Sequence, residues 1–299
     1  MSLKIVAVGE VLWDLLPAGP QLGGAPANFA CHAQALAAEA RLITRVGDDA
    51  LGREVLARFT RRSVSTEAVQ IDAGAPTGTV TVEIAEGGQP NYAIHQGVAW
   101  DRLAVTRRAL DAVRACDAIC FGTLGQRSGI ARDAIRQLVS GAPQDSLRIL
   151  DINLRAPFFD RTVVEESLGR ANVLKLNDEE LPLLATMLGL TRACADGWLG
   201  ELRERFGLRL IALTRGSGGS VLLSEDRRSE HPGLPARVVD TIGAGDAFTA
   251  AMTLGLLLHW DLDRISARAN EVAAYVCSQA GATPGLPASL TDAFRADAK

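Results

Sequence analysis

Apolar segments that end in glycine or polar residues recur along the chain, and this alternation constrains the fold more than any other feature. It is clearest in residues 3–9, 115–121, 148–155, 173–180 and 208–214, and a further strand is predicted over 41–46. Continuous apolar runs of this length are typical of strands buried on both faces of a parallel sheet. We therefore predict an α/β fold with a mostly parallel central sheet, whose polar strand ends line a ligand site.

The sharpest junction lies in residues 240–248 (DTIGAGDAF), between an apolar run read as a strand and an apolar helix predicted over 247–258. Glycines at such a turn let an anion approach the backbone, and the first helical turn offers free N–H groups and partial positive charge. Asp246 beside that site is suited to orient and deprotonate an attacking hydroxyl. A tight turn followed by an ordinary first-turn acid explains the same residues.

Other phosphate-binding and catalytic patterns are missing from the sequence. There is no Gly-Lys-Ser/Thr, so the glycine turn is not a Walker loop. Phe248 stands where a dinucleotide fingerprint needs its third glycine, which argues against an oxidoreductase of doubly wound fold. The four histidines are dispersed, and the five cysteines lie mostly in apolar segments. The sequence therefore predicts neither a zinc site nor a Ser–His–carboxylate triad.

Two patterns in the first hundred residues predict a second functional region. Residues 23–28 (GGAPAN) open a helix, and the buried-looking Asn28 on it needs hydrogen-bond partners. Helix-starting glycines with an incidental asparagine are an equally good explanation. Residues 77–85 and 91–95 alternate in polarity around a Gly/Pro turn, which predicts a β-hairpin outside the parallel series. Asp14 lies in apolar surroundings.

Residues 240–246 resemble the C-terminal signature of the ribokinase-like (PfkB) sugar-kinase family, and the similarity extends over nearly the whole chain. The resemblance implies one ribokinase-like domain over residues 1–299. Its fold would be a three-layer sandwich with a mostly parallel central sheet and a small β-sheet lid. The lid would come from about residues 11–18 and 75–99, close over the sugar and exclude water.

The resemblance also implies a role for individual residues. Asp246 would be the catalytic base and the backbone of Gly243, Ala244 and Gly245 the anion hole. Sugar would be bound by Asp14, Gly24, Asn28 and Arg155, and nucleotide by Asn177, Thr214, Gly216, Gly245 and Asn270. Glu180 would organise Mg²⁺ through water, and Asp240 with the carbonyl of Ile242 would hold K⁺, together with residues 280–284. From the residues alone, 177–180 is better explained as a helix start whose acids complement the dipole.

Several stretches are most similar to fructokinases, namely residues 9–14, 22–29, 98–101 and 151–155. The resemblance thus implies ATP-dependent transfer of a phosphoryl group to a sugar hydroxyl, with fructose as the first candidate. A 2-keto-3-deoxygluconate kinase, another PfkB sugar or nucleoside kinase, and a non-catalytic sugar- or nucleotide-binding module stay open as alternatives. Residues 77–99 contain no Arg or Lys, so a sugar acid would need Arg155 or Arg127 as its counter-ion.

The composition sets the expected partners. With 299 residues, 47% hydrophobic, 22% charged and a net charge of −4, the chain is typical of a globular protein without a nucleic-acid surface. The apolar run 247–260 is shorter than the roughly 20 residues that span a bilayer, and residues 3–10 are typical of a strand rather than a signal peptide. We expect a cytoplasmic protein that binds sugar and ATP and no membrane. The family resemblance leaves room for a homodimer formed through the lid.

Overall fold

The computed structural model describes residues 3–16, 19–84 and 90–298. Within these ranges the chain forms fourteen strands and ten α-helices. The strands are β1 (Lys4–Val8), β2 (Leu12–Leu16), β3 (Gly19–Gly23), β4 (Glu39–Ile43), β5 (Arg45–Gly47), β6 (Gln70–Asp72), β7 (Gly78–Ile84), β8 (Pro90–Ile94), β9 (Ala118–Phe121), β10 (Leu147–Asp151), β11 (Val173–Asn177), β12 (Leu210–Thr214), β13 (Ser220–Ser224) and β14 (Arg228–His231). The helices are α1 (Ala25–Ala35), α2 (Ala50–Arg61), α3 (Arg107–Arg114), α4 (Gly129–Ser140), α5 (Arg161–Leu168), α6 (Glu180–Leu188), α7 (Cys194–Phe206), α8 (Ala244–Leu257), α9 (Leu262–Cys277) and α10 (Ala288–Asp297).

The predicted mostly parallel central sheet is confirmed. Eight strands pair in the order β14-β13-β12-β11-β10-β9-β1-β4, and the six from β12 to β4 run parallel. The last two strands, β13 and β14, form an antiparallel edge. Because parallel strands direct their carboxyl ends to one edge of a sheet, the polar residues that follow β1, β10, β11 and β12 converge there.

The alternation of side chains along β1 shows how the layers form. Ile5 and Ala7 belong to one buried cluster and Val6 and Val8 to another, as a strand covered on both faces requires. The first cluster includes Phe29 of α1, Phe59 of α2, Phe248 of α8, Val272 of α9 and Phe294 of α10. The second includes residues of α3, α4, α5, α6 and α7. The result is the expected ribokinase-like three-layer α/β sandwich.

A small sheet lies beside the carboxyl edge of the large one. Its order is β3-β2-β7-β8, with β2 and β7 parallel and the other two pairs antiparallel. The predicted hairpin is therefore present as β7 and β8, while residues 17–18 and 85–89 of the expected lid lie outside the described part of the chain. The sheet also includes β3, which the sequence analysis did not assign to it. A separate two-stranded parallel sheet joins β5 to β6.

Three predicted strands differ from the structure. The apolar run before Gly243 is not a strand, because residues 232–241 are held by backbone bonds such as Val239 N–H to the carbonyl of Cys277 (2.8 Å). The strand predicted over 148–155 stops at Asp151, and two residues later Asn153 has a left-handed φ of 41°. The strand predicted over 41–46 is divided between two sheets at Thr44. None of the described helices is both long and apolar enough to cross a membrane.

Candidate active site

One cavity of about 850 Å³ opens at the carboxyl ends of the parallel strands and extends beneath the small sheet. The structure brings most of the sequence-predicted site residues to its wall. These are Asp14, Gly24, Asn28, Arg155, Asn177, Thr214, Gly216, Ile242, Gly243, Ala244, Gly245, Asp246 and Asn270. Glu180 and Asp240 do not line the cavity, although each is bonded to residues that lie next to it.

The turn before α8 is closely packed around Gly243. Gly243 caps the helix with a left-handed φ of 80°, a backbone conformation that residues other than glycine rarely adopt. A Cβ atom at this position would overlap the carbonyl group of Ala282. The first-turn backbone of Ala244, Gly245 and Asp246 faces the cavity, where helical N–H groups have no partner within the helix. The turn is thus arranged to hold an anion.

Asp246 is buried in the first turn of α8, with 8% of its surface exposed. Its Oδ2 accepts a hydrogen bond of 2.9 Å from Nδ2 of Asn28, which is 4% exposed. This bond joins the two predicted motifs across 218 residues of sequence. Burial, reinforced by the charge of Asp151, raises the pKa of Asp246 to about 7, while Asn28, Lys175 and Arg155 act in the opposite direction. Asp246 is therefore a carboxyl group that changes protonation near neutral pH.

Lys175 is a site residue that the sequence analysis did not find. Its ammonium group is buried and bonds Oδ1 of Asp151 at 3.1 Å, and Thr249 of α8 donates to Oδ2 of the same carboxylate at 2.7 Å. A Cβ atom on Gly245 would lie 3.0 Å from Nζ of Lys175. Burial alone would lower the pKa of Lys175, but the nearby carboxylates of Asp151, Glu180 and Asp246 outweigh it and raise the pKa. The available sequence signal was a lysine at the centre of an apolar strand, between Leu174 and Leu176.

Asp14, Gly24 and Arg155 lie at the sugar end of the cavity that the sequence predicts. Asp14 stands on β2, and burial, with a contribution from Asp240, raises its pKa to about 6. Gly24 begins α1 with a φ of 106°, and a Cβ atom there would lie 2.7 Å from the carbonyl oxygen of Glu10. Arg155 donates to the carbonyl of Leu154 (3.2 Å). These three residues and Asp246 line the same cavity, so a ligand there can contact all four.

Asn177 and Glu180 bind each other's backbone at the start of α6. Oδ1 of Asn177 accepts from the N–H groups of Glu179 and Glu180 at 3.0 and 2.8 Å. The carboxylate of Glu180 in turn accepts from the N–H groups of Asn177 and Leu154, both at 2.9 Å. This reciprocal arrangement is a helix cap. Among the described residues no three His, Cys, Asp or Glu side chains cluster as metal ligands would, so a metal role for Glu180 stays a prediction.

The end of the cavity at β12 and α9 has a more apolar lining than the end at Asp14. Thr214 ends β12 and Gly216 lies two residues beyond it, while Asn270 on α9 donates to Ser220 Oγ (2.7 Å) and to the Ser266 carbonyl (2.8 Å). Its wall is largely apolar and includes Leu234, Ala236, Val238, Ala273, Ala274 and Cys277. Val238 lies in the apolar run that was predicted to be a strand, and it is instead an exposed residue of this apolar wall. Such a wall suits a planar ring.

Asp240 joins two loops beside the anion hole. Its Oδ1 accepts from the N–H of Ile242 (2.9 Å) and its Oδ2 from the N–H of Gly281 (3.1 Å). His32 of α1 holds the neighbouring carbonyl of Ala282 at 2.9 Å. Since Gly243 packs against the same carbonyl, the loop at 280–284 supports the turn that forms the anion hole.

A three-layer sandwich with this strand order has the ribokinase-like fold, and its cavity has a buried acid at the start of α8. The model of the pfkB family of carbohydrate kinases matches residues 19–289. The chain therefore belongs to the PfkB family and is a sugar kinase.

Individual relatives agree with this assignment over their whole length. The chain is 27% identical to a fructokinase of Klebsiella pneumoniae over 304 residues, which cover 96% of this chain and 97% of that one. It superimposes on an uncharacterized sugar kinase from Pyrococcus horikoshii in complex with ATP with a TM-score of 0.78 at 27% identity, over 93% and 94% of the two chains. A fructokinase from Vibrio cholerae with bound fructose, ADP and calcium has the same fold, with a TM-score of 0.82 at 23% identity over 98% of each chain.

The close packing of Gly243 generates a first prediction. We expect Gly243→Ala to lower kcat by at least about 10-fold and to lower Tm, because the new methyl group must displace the Ala282 carbonyl and distort the anion hole. Gly189→Ala is the matched control, since Gly189 has a φ of 65° but no atom within 4 Å of its added Cβ. The control should lose about 1–2 kcal/mol of stability through backbone strain and keep its kcat. Equal effects of the two variants on kcat would contradict the prediction.

Proposed function

We propose that this sugar kinase transfers the γ-phosphoryl group of ATP to a hydroxyl of a neutral sugar, with fructose as its substrate. The observation that carries the proposal is the buried Asp246–Asn28 pair directly beside the first-turn backbone of α8. A protein that only bound sugar and nucleotide would have no need for a carboxylate with a raised pKa next to an anion site. ATP binding is supported by the Pyrococcus horikoshii relative, and fructose by the Klebsiella pneumoniae fructokinase.

The chain's own groups supply each part of this reaction. Asp246 would orient the hydroxyl and accept its proton, while the first-turn N–H groups of α8 stabilise charge on the transferring phosphoryl group. The ammonium group of Lys175 lies below Gly245 and adds positive charge to the same place. The side-chain oxygens of Asn177, which lines the cavity, and of Glu180, which is bonded to it, suit a Mg²⁺ ion bound through water. These two residues would hold the ion's waters. When bound, Mg²⁺ supplies charge neutralisation of the ATP phosphates.

Replacing the base tests the catalytic part of the proposal. We expect Asp246→Asn to lower kcat by at least about 10²-fold with little change in the KM for ATP, because the amide cannot accept the proton while the backbone anion site remains. Only the ionised form of Asp246 accepts a proton, so kcat/KM of the wild-type protein should fall as the pH is lowered through about 7. Steady-state rates from pH 5 to 9 give both readouts.

Asp133→Asn is the control for that substitution, since Asp133 is an exposed acid on α4 outside the cavity. It should keep the wild-type rate and the wild-type pH profile. A variant at Asp246 that retains more than half of the wild-type kcat would remove Asp246 as the base. A protein that binds sugar but consumes no ATP with any sugar tested would favour the non-catalytic module instead.

The choice of a neutral sugar over a sugar acid rests on charge. Arg127, one of the two cations that an acid substrate would need, is committed elsewhere: it pairs with Asp101 through two bonds of 2.8 and 2.9 Å and stacks on Trp100 at 3.8 Å. Asp14 and Asp246 both line the sugar end of the cavity. Among the described residues Arg155 is therefore the cation left there, against Asp14, Asp246 and a third acid of the cavity wall, Glu10. That balance disfavours a second carboxylate brought by the substrate.

Substrate preference follows from that balance. We expect kcat/KM for fructose to exceed that for 2-keto-3-deoxygluconate by at least about 10²-fold, because a site built to bind hydroxyls rejects analogues that lack them. Measuring ATP consumption across ketoses, aldoses, sugar acids and nucleosides ranks the substrates. Equal or faster turnover of the keto-acid would overturn the fructose assignment and leave the kinase assignment standing.

A monovalent cation is proposed beside the anion hole, where Asp240 holds the loops at 242 and 281 together. K⁺ bound to the carboxylate of Asp240 and the carbonyl of Ile242 would fix the shape of the turn without contacting substrate. We expect a higher kcat in KCl than in NaCl or choline chloride at equal ionic strength. Identical rates in the three salts would contradict a cation site there.

A further inference from the structure

Glu10 is a buried acid in the wall of the same cavity to which the proposed reaction gives no part. It follows β1 by two residues and is 3% exposed. Burial raises the pKa of Glu10, whereas the N–H groups of Glu10 and Ala25 and the charges of Arg155 and Arg127 act in the opposite direction. The start of α1 and the charges of two arginines therefore offset part of the cost of ionising this buried carboxyl group.

One oxygen of this carboxyl group has no partner. Oε2 of Glu10 is fully buried, and no described residue lies within hydrogen-bonding distance of it. A Cβ atom on Gly125 would approach Oε2 to 3.1 Å, so the backbone already packs closely on one side. Buried polar atoms are nearly always paired, and leaving one unpaired is costly. A group that donates a hydrogen bond is needed here, and Glu10 lines the cavity from which a ligand can supply one.

A complementary group is found on Asn153, which lines the same cavity. Its Nδ2 is also buried and has no hydrogen-bond partner among the described residues. The orientation of the amide is fixed by Arg155, whose Nη2 donates to Oδ1 of Asn153 at 3.3 Å. Because arginine only donates, the oxygen must face it and the NH₂ group must point elsewhere. The cavity wall therefore carries one unpaired acceptor and one unpaired donor.

We propose that Glu10 and Asn153 form a hydroxyl-binding pair that determines specificity for a neutral, polyhydroxylated sugar. Glu10 Oε2 accepts a hydrogen bond from a sugar hydroxyl, and Asn153 Nδ2 donates one. A hydroxyl both donates and accepts, so adjacent hydroxyls satisfy both groups. A methylene satisfies neither, and a carboxylate gives Glu10 no proton to accept. The inference rests on the proposed sugar-kinase reaction and adds to it the side chains that select its substrate.

A purely structural role for Glu10 makes a different prediction. Gly24 precedes α1 and has no side chain to cap it, and the carboxyl group of Glu10 meets the N–H of Ala25 at that position. If capping were its whole role, substitution would lower Tm and leave sugar binding unchanged. The test must therefore separate stability from sugar recognition.

The first experiment compares Glu10→Gln, Asn153→Asp and the control Glu39→Gln in the full-length protein. Glu39 begins β4 and does not line the cavity, so the control makes the same chemical change elsewhere. Asp tolerates the left-handed backbone at 153 and replaces the donor with a negatively charged acceptor. For both cavity variants we expect the KM for fructose to rise at least about 10-fold, with the KM for ATP within about twofold of wild type. Thermal unfolding of each variant shows whether it is folded.

The second experiment is a double-mutant cycle with the monodeoxy derivatives of fructose. In the wild-type protein, loss of the hydroxyl that contacts Glu10 should reduce kcat/KM at least about 10-fold, and in Glu10→Gln the same derivative should cause less than about a twofold further loss. If every derivative loses activity equally in both proteins, the pair does not bind a hydroxyl. Lowered Tm with unchanged KM for fructose would assign Glu10 to capping alone.

The outcomes also separate this inference from the proposed function. Turnover of fructose by the wild-type protein with an unchanged KM in both variants would overturn the hydroxyl-binding pair and leave the kinase proposal intact. Failure of the wild-type protein to phosphorylate any neutral sugar would overturn both. If Glu10→Gln does not fold, the KM for fructose of Asn153→Asp decides the proposal.

Discussion

The buried ion pair between Asp151 and Lys175 is the interaction on which the rest of the site depends. Asp151 and Asp246 are both buried, and the charge of Asp151 raises the pKa of Asp246. Lys175 stands at 3.1 Å from Asp151 and directly below Gly245, so it offsets both charges from one position. Neighbouring parallel strands, β10 and β11, provide this pair. Without the ammonium group the protein would bury two carboxylates with no compensating cation, an arrangement that is strongly destabilising.

The turn before α8 needs glycine at two positions for different reasons, and the ion pair accounts for one of them. At Gly243 the added atom would meet the backbone of Ala282, which cannot move without moving the loop that His32 and Asp240 hold. At Gly245 it would meet the end of the Lys175 side chain, 3.0 Å away. One glycine lets the turn pack on a neighbouring loop, and the other lets a cation reach the underside of the helix start. The turn is therefore fixed from two sides before any substrate binds.

The central sheet and much of the cavity wall could be predicted from the sequence, because the fold follows from local patterns. Buried parallel strands are recognisable as continuous apolar runs, and their polar ends must converge, which is why Asn177 and Thr214 could be expected at one cavity. Val239 was misassigned because valine favours strands locally, whereas its actual partner is a carbonyl 38 residues away on α9. The helix start that the residues alone predict at 177–180 is present, and the reciprocal bonds between Asn177 and Glu180 were not part of that prediction. Lys175 was missed because an ion pair between adjacent strands leaves no sequence spacing to read.

The distribution of acids along the cavity gives the two ends different preferences. Asp14, Glu10 and Asp246 all have raised pKa values because burial penalises their charged forms, and all three line the sugar end. Buried carboxyl groups of this kind are stabilised by ligands that donate hydrogen bonds without adding negative charge. A neutral polyol has both properties. At the start of α8 the helix dipole and the buried ammonium group of Lys175 add positive charge, which offsets the charges of Asp151 and Asp246 and makes that end more favourable to an anion than the end lined by Asp14 and Glu10.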